Sequence, residues 1–214
     1  MRGTKAFVQA RGHGRAWAGE PGYQVLADDL LSEADRLGAT RAVGVSLGAG
    51  ALLRLLSQHP TRFDRVVLLL PVALDIAGLP AVRRGGALAG ALRARDRAAV
   101  ERLVRSELPD TGSGLGDYVA ARTELLLAAD VLPLLDALTR EAPVADRASL
   151  AAVTAEVLVL GQEGDDVHPA AVAREVAAAM PSARLVAFAR PSPLVHERFR
   201  LRSLITGHLD GPTG

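Results

Sequence analysis

The chain has 214 residues, 49% of them apolar but only 3% aromatic, and its 25 basic and 24 acidic residues leave a formal net charge of +1. That length fits one domain with a sizeable core built mainly from Leu, Val and Ala, while the balanced charge offers no broad field for nucleic acid or an anionic membrane. The absence of cysteine excludes disulfides, thiolate catalysis and Cys-based zinc or iron–sulfur sites. With no signal-peptide core near Met1 and charges interrupting every long apolar run, a soluble cytoplasmic protein is expected.

Lys5 to Ala10, KAFVQA, is a short β-prone run leading into the glycine-punctuated turn RGHG. Val25, Leu26, Leu30, Leu31, Ala34 and Leu37 then recur as one face of a helix that ends at Gly38. RAVGV is a buried-strand candidate, and LGAGALLRLLSQ reads as a helix closed by His59 and Pro60. RVVLLLPVAL has the composition of a parallel strand covered on both faces.

From 76 to 150 the chain is rich in Ala, Leu and Arg in helix-length segments, broken at PDTGSGLGD, and predicts an all-helical insertion. Arg93, Arg95 and Arg97 alternate with other residues there and read as a solvated helical face. Beyond it come a strand (AEVLVLG), a helix with Pro169 near its first turn, a strand (ARLVAFA) and a closing helix, HERFRLRSLITGHL. Strands alternating with helices predict an α/β fold, a mostly parallel sheet flanked by helices and joined by right-handed crossovers. The expected division is a core of 1–75 and 151–214 carrying the inserted 76–150.

Gly44-Val45-Ser46-Leu47-Gly48 matches G-x-S-x-G. A strand that turns sharply into a helix strains the residue at the turn and crowds the backbone around it, and glycines two before and two after relieve that crowding. The turn raises the serine oxygen above the carboxyl edge of the sheet and aims it at the helix N-terminus. The alternative is an ordinary glycine turn with an N-capping serine.

With these features the chain resembles the α/β-hydrolase superfamily over nearly its whole length. RGHGRA resembles a conserved turn of that family, GVSLGAG its nucleophile elbow and VLVLGQEGDDVHP the strand end that carries its acid, while the helical insertion sits where the family places a cap. The order Ser, Asp, His is also the family's. The resemblance implies Ser46 as nucleophile and the Leu47 amide as one oxyanion-hole donor. It implies Asp165 as the acid, four residues before Pro169, with Asp166 as the close alternative and helix capping as the bland reading of both. It implies His196, after the last strand, as the base, although Leu194 and Val195 stand where the family usually has glycine before the histidine. His208 reads as an end-of-helix residue, His13 and His59 as structural, and His168 as a weak metal candidate with Asp165 and Asp166 but no third ligand cluster, so no metal is expected.

Only about ten residues precede Arg11, whereas the family has several strands before that turn, one of them followed by the loop that supplies the second oxyanion donor. The expectation is therefore an N-terminally truncated sheet, with an exposed edge that invites homodimerisation and an oxyanion hole short of one donor, a loss of roughly 10²–10³ in rate. Three explanations stand open: a reading frame begun too late, which is favoured; strands supplied by another chain; or a scaffold that has lost catalysis. The resemblance implies a serine hydrolase of a small ester or related acyl substrate, with no dissociable cofactor and an apolar acyl pocket under the cap. The alternative is a non-catalytic relative that binds a small ligand or a partner chain.

Overall fold

Helices and strands alternate along the computed structural model, which describes residues 4–11, 22–75, 80–106, 108, 115–129, 131–189 and 193–211. In chain order the elements are α1 (Tyr23–Leu37), β1 (Arg41–Val45), α2 (Leu47–Gln58), β2 (Arg65–Leu69), α3 (Pro80–Arg93), α4 (Arg97–Arg105), α5 (Gly116–Ala128) and α6 (Leu132–Leu138). A 3-10 helix (Arg147–Ala152), β3 (Glu156–Gln162), α7 (Ala170–Ala178), β4 (Ala183–Phe188), α8 (Pro193–His196) and α9 (Arg198–Asp210) follow. The chain divides into two compact units, one of Met1–Val8, Tyr23–Ile76 and Ala142–Gly214, the other of Gln9–Gly22 and Ala77–Glu141.

Among the described residues the first unit holds a sheet of four parallel strands in the order β1-β2-β3-β4. Leucine- and valine-rich β2 is buried at every position and β3 at every position after Glu156, because helices cover both faces of the two central strands. α9 closes one face: Val67, Leu69, Leu158, Leu160 and Phe188 pack there with Leu201 and Leu209. α2 lies against β1 and β2, and α7 against β3 and β4.

α2 is apolar on nearly all sides because it is sandwiched, with Ala49, Ala51, Leu52, Leu53, Leu55 and Leu56 buried between the sheet and α1. A Cβ on Gly50 would stand 2.4 Å from Tyr23 Cε1, so glycine there sets how closely α1 and α2 approach. α1 buries Tyr23, Leu26, Ala27 and Ala34. It ends as its sequence predicts, with Gly38 at φ 61° and the Ala39 N–H donating to Ala34 O at 2.9 Å. At the other end of the sheet Arg65 is buried and donates to His208 O (2.7 Å), while His208 Nε2 lies 3.1 Å from the carbonyls of Val66 and Glu156. Burial holds the His208 pKa below its ordinary value against the pull of those carbonyls. His208 is thus a structural anchor of α9.

In the second unit α3 packs on α4 and α6, and α4 on α5, burying Val100 and Val104 of α4 and Val119 and Thr123 of α5. The Asp96 side chain caps α4 by accepting from Ala99 N–H at 2.9 Å. That cap ends the continuity expected of Arg93, Arg95 and Arg97: Arg95 sits in a turn at φ 52°, Arg93 pairs with Asp136 and Arg97 with Glu124. Most of PDTGSGLGD lies outside the described residues, as do Gly12, His13 and Gly14 of the RGHG turn. The stretch 142–150, expected within the insertion, clusters with the sheet unit, where Val144 N–H donates to Leu74 O at 2.9 Å.

Two predicted strands come out differently. Residues 4–10 form no strand, and Phe7 is 93% exposed: among the described residues no strand lies beside them to complete a ladder. β2 stops at Leu69 because Leu70 turns to φ 52° and Pro71 has no N–H to continue pairing. Among the described residues no helix is long and apolar enough to cross a membrane.

Candidate active site

β1 and α2 meet at Ser46, whose φ of 51° and ψ of −109° lie outside the ordinary regions for a residue with a side chain. The turn is held by the Ser46 N–H, which donates to Leu69 O at 2.9 Å, and by the Ser46 carbonyl, which accepts from the amides of Ala49 and Gly50 at 3.0 and 3.1 Å. The two motif glycines contribute unequally. A Cβ on Gly44 would stand 2.4 Å from Gly48 O and 2.7 Å from Ala49 N, so only glycine lets the strand pass beneath the helix start. A Cβ on Gly48 would meet nothing within 4 Å, and the relief of crowding expected of both belongs to Gly44. Leu47, the first residue of α2, has no acceptor for its N–H within the helix.

The second half of the site is the loop from β3 to α7, tethered by the Glu163 N–H to Phe188 O at 2.9 Å and turned at Gly164, φ 69°. Asp165 folds back on the chain that follows it. Its Oδ1 accepts from the amides of Val167 and His168 at 2.8 and 2.9 Å, and its Oδ2 lies 3.1 Å from His168 Nδ1. The other ring nitrogen, His168 Nε2, lies 3.0 Å from Ser46 Oγ. A carboxylate can only accept, so Nδ1 carries the proton toward Asp165 and Nε2 is left to accept from the serine hydroxyl. The carboxylate and the ring are mostly buried, their side chains 16% and 18% exposed.

Burial alone would push the Asp165 carboxyl up. The His168 ring and the amides of His168 and Val167 outweigh burial and hold its pKa down to about 2. At neutral pH it is a fixed anion behind the imidazole.

The structure therefore brings together Ser46, Asp165 and His168. Asp166 is exposed and stands outside the chain of contacts. His196, expected as the base, is an exposed residue at the end of α8 with no hydrogen bond to Ser46, and the residues 190–192 before that helix lie outside those described. The physical reason is local. With acid and histidine three residues apart on one turn, the carboxylate that caps the loop amides also reaches the ring, and the space beside Ser46 Oγ is taken. From the sequence His168 reads only as a weak metal candidate; the signal that marks it is the three-residue Asp-to-His spacing inside a turn. Among the described residues no group of three His, Asp or Glu side chains could hold a metal ion. His59 caps the end of α2, its amide donating to Leu55 O at 2.8 Å.

No protein-family model matches the chain, and no curated protein matches it. Solved structures do. An esterase from Exiguobacterium antarcticum superposes with a TM-score of 0.77 at 17% identity, covering 94% of this chain and 80% of the esterase. A hydrolase from Pseudomonas aeruginosa gives 0.70 at 25% identity, covering 95% and 78%. The 2-hydroxy-6-oxo-6-phenylhexa-2,4-dienoate hydrolase of a Rhodococcus strain gives 0.74 at 21%, covering 94% and 77%. The chain has the α/β-hydrolase fold.

Proposed function

We propose that this chain, on its α/β-hydrolase fold, is a serine hydrolase that cleaves a small ester or related acyl substrate, with Ser46 as nucleophile, His168 as base and Asp165 as the group that orients and stabilises the base. One observation carries the reading: Ser46 Oγ, on a backbone strained to positive φ, lies 3.0 Å from His168 Nε2, whose other nitrogen faces an ionised carboxylate. The esterases and hydrolases of the same fold support it by analogy.

In this reading Ser46 Oγ attacks the acyl carbonyl carbon as His168 Nε2 takes the hydroxyl proton, a transfer worth typically about 10²–10⁴ in rate. The charge developing on the carbonyl oxygen faces the Leu47 amide at the start of α2, where an unpartnered N–H and the helix dipole both favour an anion. Asp165 stabilises the imidazolium without taking its proton. The imidazolium then protonates the leaving group as the acyl–oxygen bond to it breaks. Water, deprotonated by His168, releases the acid from Ser46.

Covalent labelling tests this directly. The folded chain incubated with a fluorophosphonate is expected to gain one phosphonyl group by intact mass, Ser46→Ala to gain none, and His168→Ala to label at least about 10²-fold more slowly. His196→Ala is expected to label like the parent chain. Slowing confined to His196→Ala would return the base to the segment after β4. Absence of an adduct on the folded parent would favour the non-catalytic, ligand-binding alternative.

A further inference from the structure

Asp165 is hydrogen-bonded in the way that a helix-capping residue is. Its Oδ1 accepts from the second and third amides beyond it, Val167 and His168, at 2.8 and 2.9 Å, which is how a side chain closes the first turn of a helix. The sequence that follows suits one: Asp166 would bring a negative charge to the first turn, and the alanine-rich stretch Ala170–Ala178 favours winding. The helix nevertheless starts later. α7 begins at Ala170, and Pro169 before it is extended, with φ −58° and ψ 131°.

Proline accounts for the delay in two ways. Counted from Asp165 as the cap, residue 169 is the first whose N–H owes a hydrogen bond to the cap's own carbonyl, and proline has no N–H to give. Its ring also crowds the backbone of the residue before it, which drives His168 out of the helical region and into the extended one. Pro169 pairs instead with Gln162, the last residue of β3, as a one-residue parallel bridge that closes the base of the loop 163–168.

The backbone state of His168 decides how far its ring reaches. An extended residue advances the chain by about 3.3 Å and a helical one by about 1.5 Å, so each residue of 166–169 wound onto α7 shortens the loop by roughly 2 Å. The contact between His168 Nε2 and Ser46 Oγ is 3.0 Å, and a hydrogen bond of this kind is lost by about 3.6 Å.

We propose that Pro169 is a positioning residue: it stops α7 from starting one turn early under the Asp165 cap, and so holds His168 in the extended backbone from which its ring meets Ser46. The inference rests on His168 as the base. With the early turn barred, the cap bonds serve the loop rather than a helix. Oδ1 keeps the two amides, and Oδ2 is left to the ring, 3.1 Å from Nδ1. The proline side chain has no donor or acceptor, so its effect on the chemistry passes through the residue before it.

Two variants of the full chain separate this role from packing. Alanine at 169 permits the early turn, whereas glycine disfavours it by roughly 1 kcal/mol relative to alanine. Pro169→Ala is expected to lower the maximum rate of Ser46 labelling by a fluorophosphonate about tenfold or more. The half-saturating concentration should stay unchanged and the melting midpoint should lie within about 4 °C of the parent's. Cα chemical shifts at positions 166–169 should move to helical values. Pro169→Gly is expected to keep non-helical shifts there and to label closer to the parent rate. Labelling of Pro169→Ala at the parent rate, while His168→Ala is slowed, overturns the proposal and leaves the base assignment standing. Unchanged shifts at 166–169 in Pro169→Ala overturn it as well, because the early turn then fails to form even without proline. So does slower labelling of Pro169→Gly than of Pro169→Ala, the order that follows if the ring is needed only for packing or stiffness. His168→Ala labelling like the parent removes the base assignment itself, and this proposal with it.

Discussion

At the scale of single residues the site rests on Asp165, which does two things with its two oxygens: Oδ1 closes the loop and Oδ2 faces the imidazole. Asp165→Asn keeps the size and one acceptor but turns a donor toward His168 Nδ1, forcing the tautomer whose Nε2–H faces Ser46. In related triads that exchange costs about 10⁴ in kcat, and a comparable loss in ester turnover is expected here. The same residue predicts a pH dependence of stability. Its pKa is depressed to about 2 in the folded chain, so its contribution is present above the ordinary carboxylate value near 4 and is lost as pH falls toward 2. Urea unfolding at pH 5 and pH 2.5 is expected to show a decline larger by about 2 kcal/mol for the parent chain than for Asp165→Asn; equal declines would remove the carboxylate from the account. That Asp165 and Ser46 would stand near one another was legible in the sequence because each belongs to a short pattern, the four-residue offset from Pro169 and the G-x-S-x-G turn. His168 was not, because its three-residue spacing from Asp165 points to a serine only where the fold sets that turn beside Ser46.

Among the elements, the turn from β1 to α2 separates two glycines that look alike in the motif. Gly44→Ala drives a methyl group into the backbone of α2, and overpacking of this kind costs about 1–3 kcal/mol. At about 2–4 °C per kcal/mol for a chain of this size, the melting midpoint should fall by several degrees. Gly48→Ala adds a methyl group to open space inside a helix, where alanine is favoured over glycine by roughly 0.5–1 kcal/mol, so the midpoint should rise. A destabilised Gly48→Ala would show that the helix start cannot accept a side chain there. The elements themselves were readable because apolar period and length differ between α1, α2 and the buried strands. Their failures share a cause. KAFVQA has strand composition and forms no strand, since a ladder needs a neighbour that composition cannot supply.

Across the whole molecule, two chain segments of the sheet unit that are far apart in sequence are held by a clamp. Arg147, in the 3-10 helix before β3, donates to both oxygens of Asp75 at 2.5 and 2.7 Å and lies 3.4 Å from Glu175 of α7. The guanidinium holds the Asp75 carboxyl below the usual carboxylate range. Asp75→Asn is expected to loosen this clamp and to speed hydrogen exchange at the Val144 amide, which donates to Leu74 O, by about tenfold or more without changing exchange in β2 and β3. Unchanged exchange at Val144 would make the clamp incidental. The alternation of strands and helices, the elbow serine and the helical character of the insertion were determined by the sequence alone, because each depends on contacts within about a dozen residues. Tertiary structure alone decided that His168 rather than His196 meets Ser46, 122 residues away, and that Val43 and Val45 stay uncovered. Both outcomes follow from the parallel register of β1, β2 and β3, which brings the ends of distant segments together at one edge of the sheet and leaves β1 outermost among the described strands.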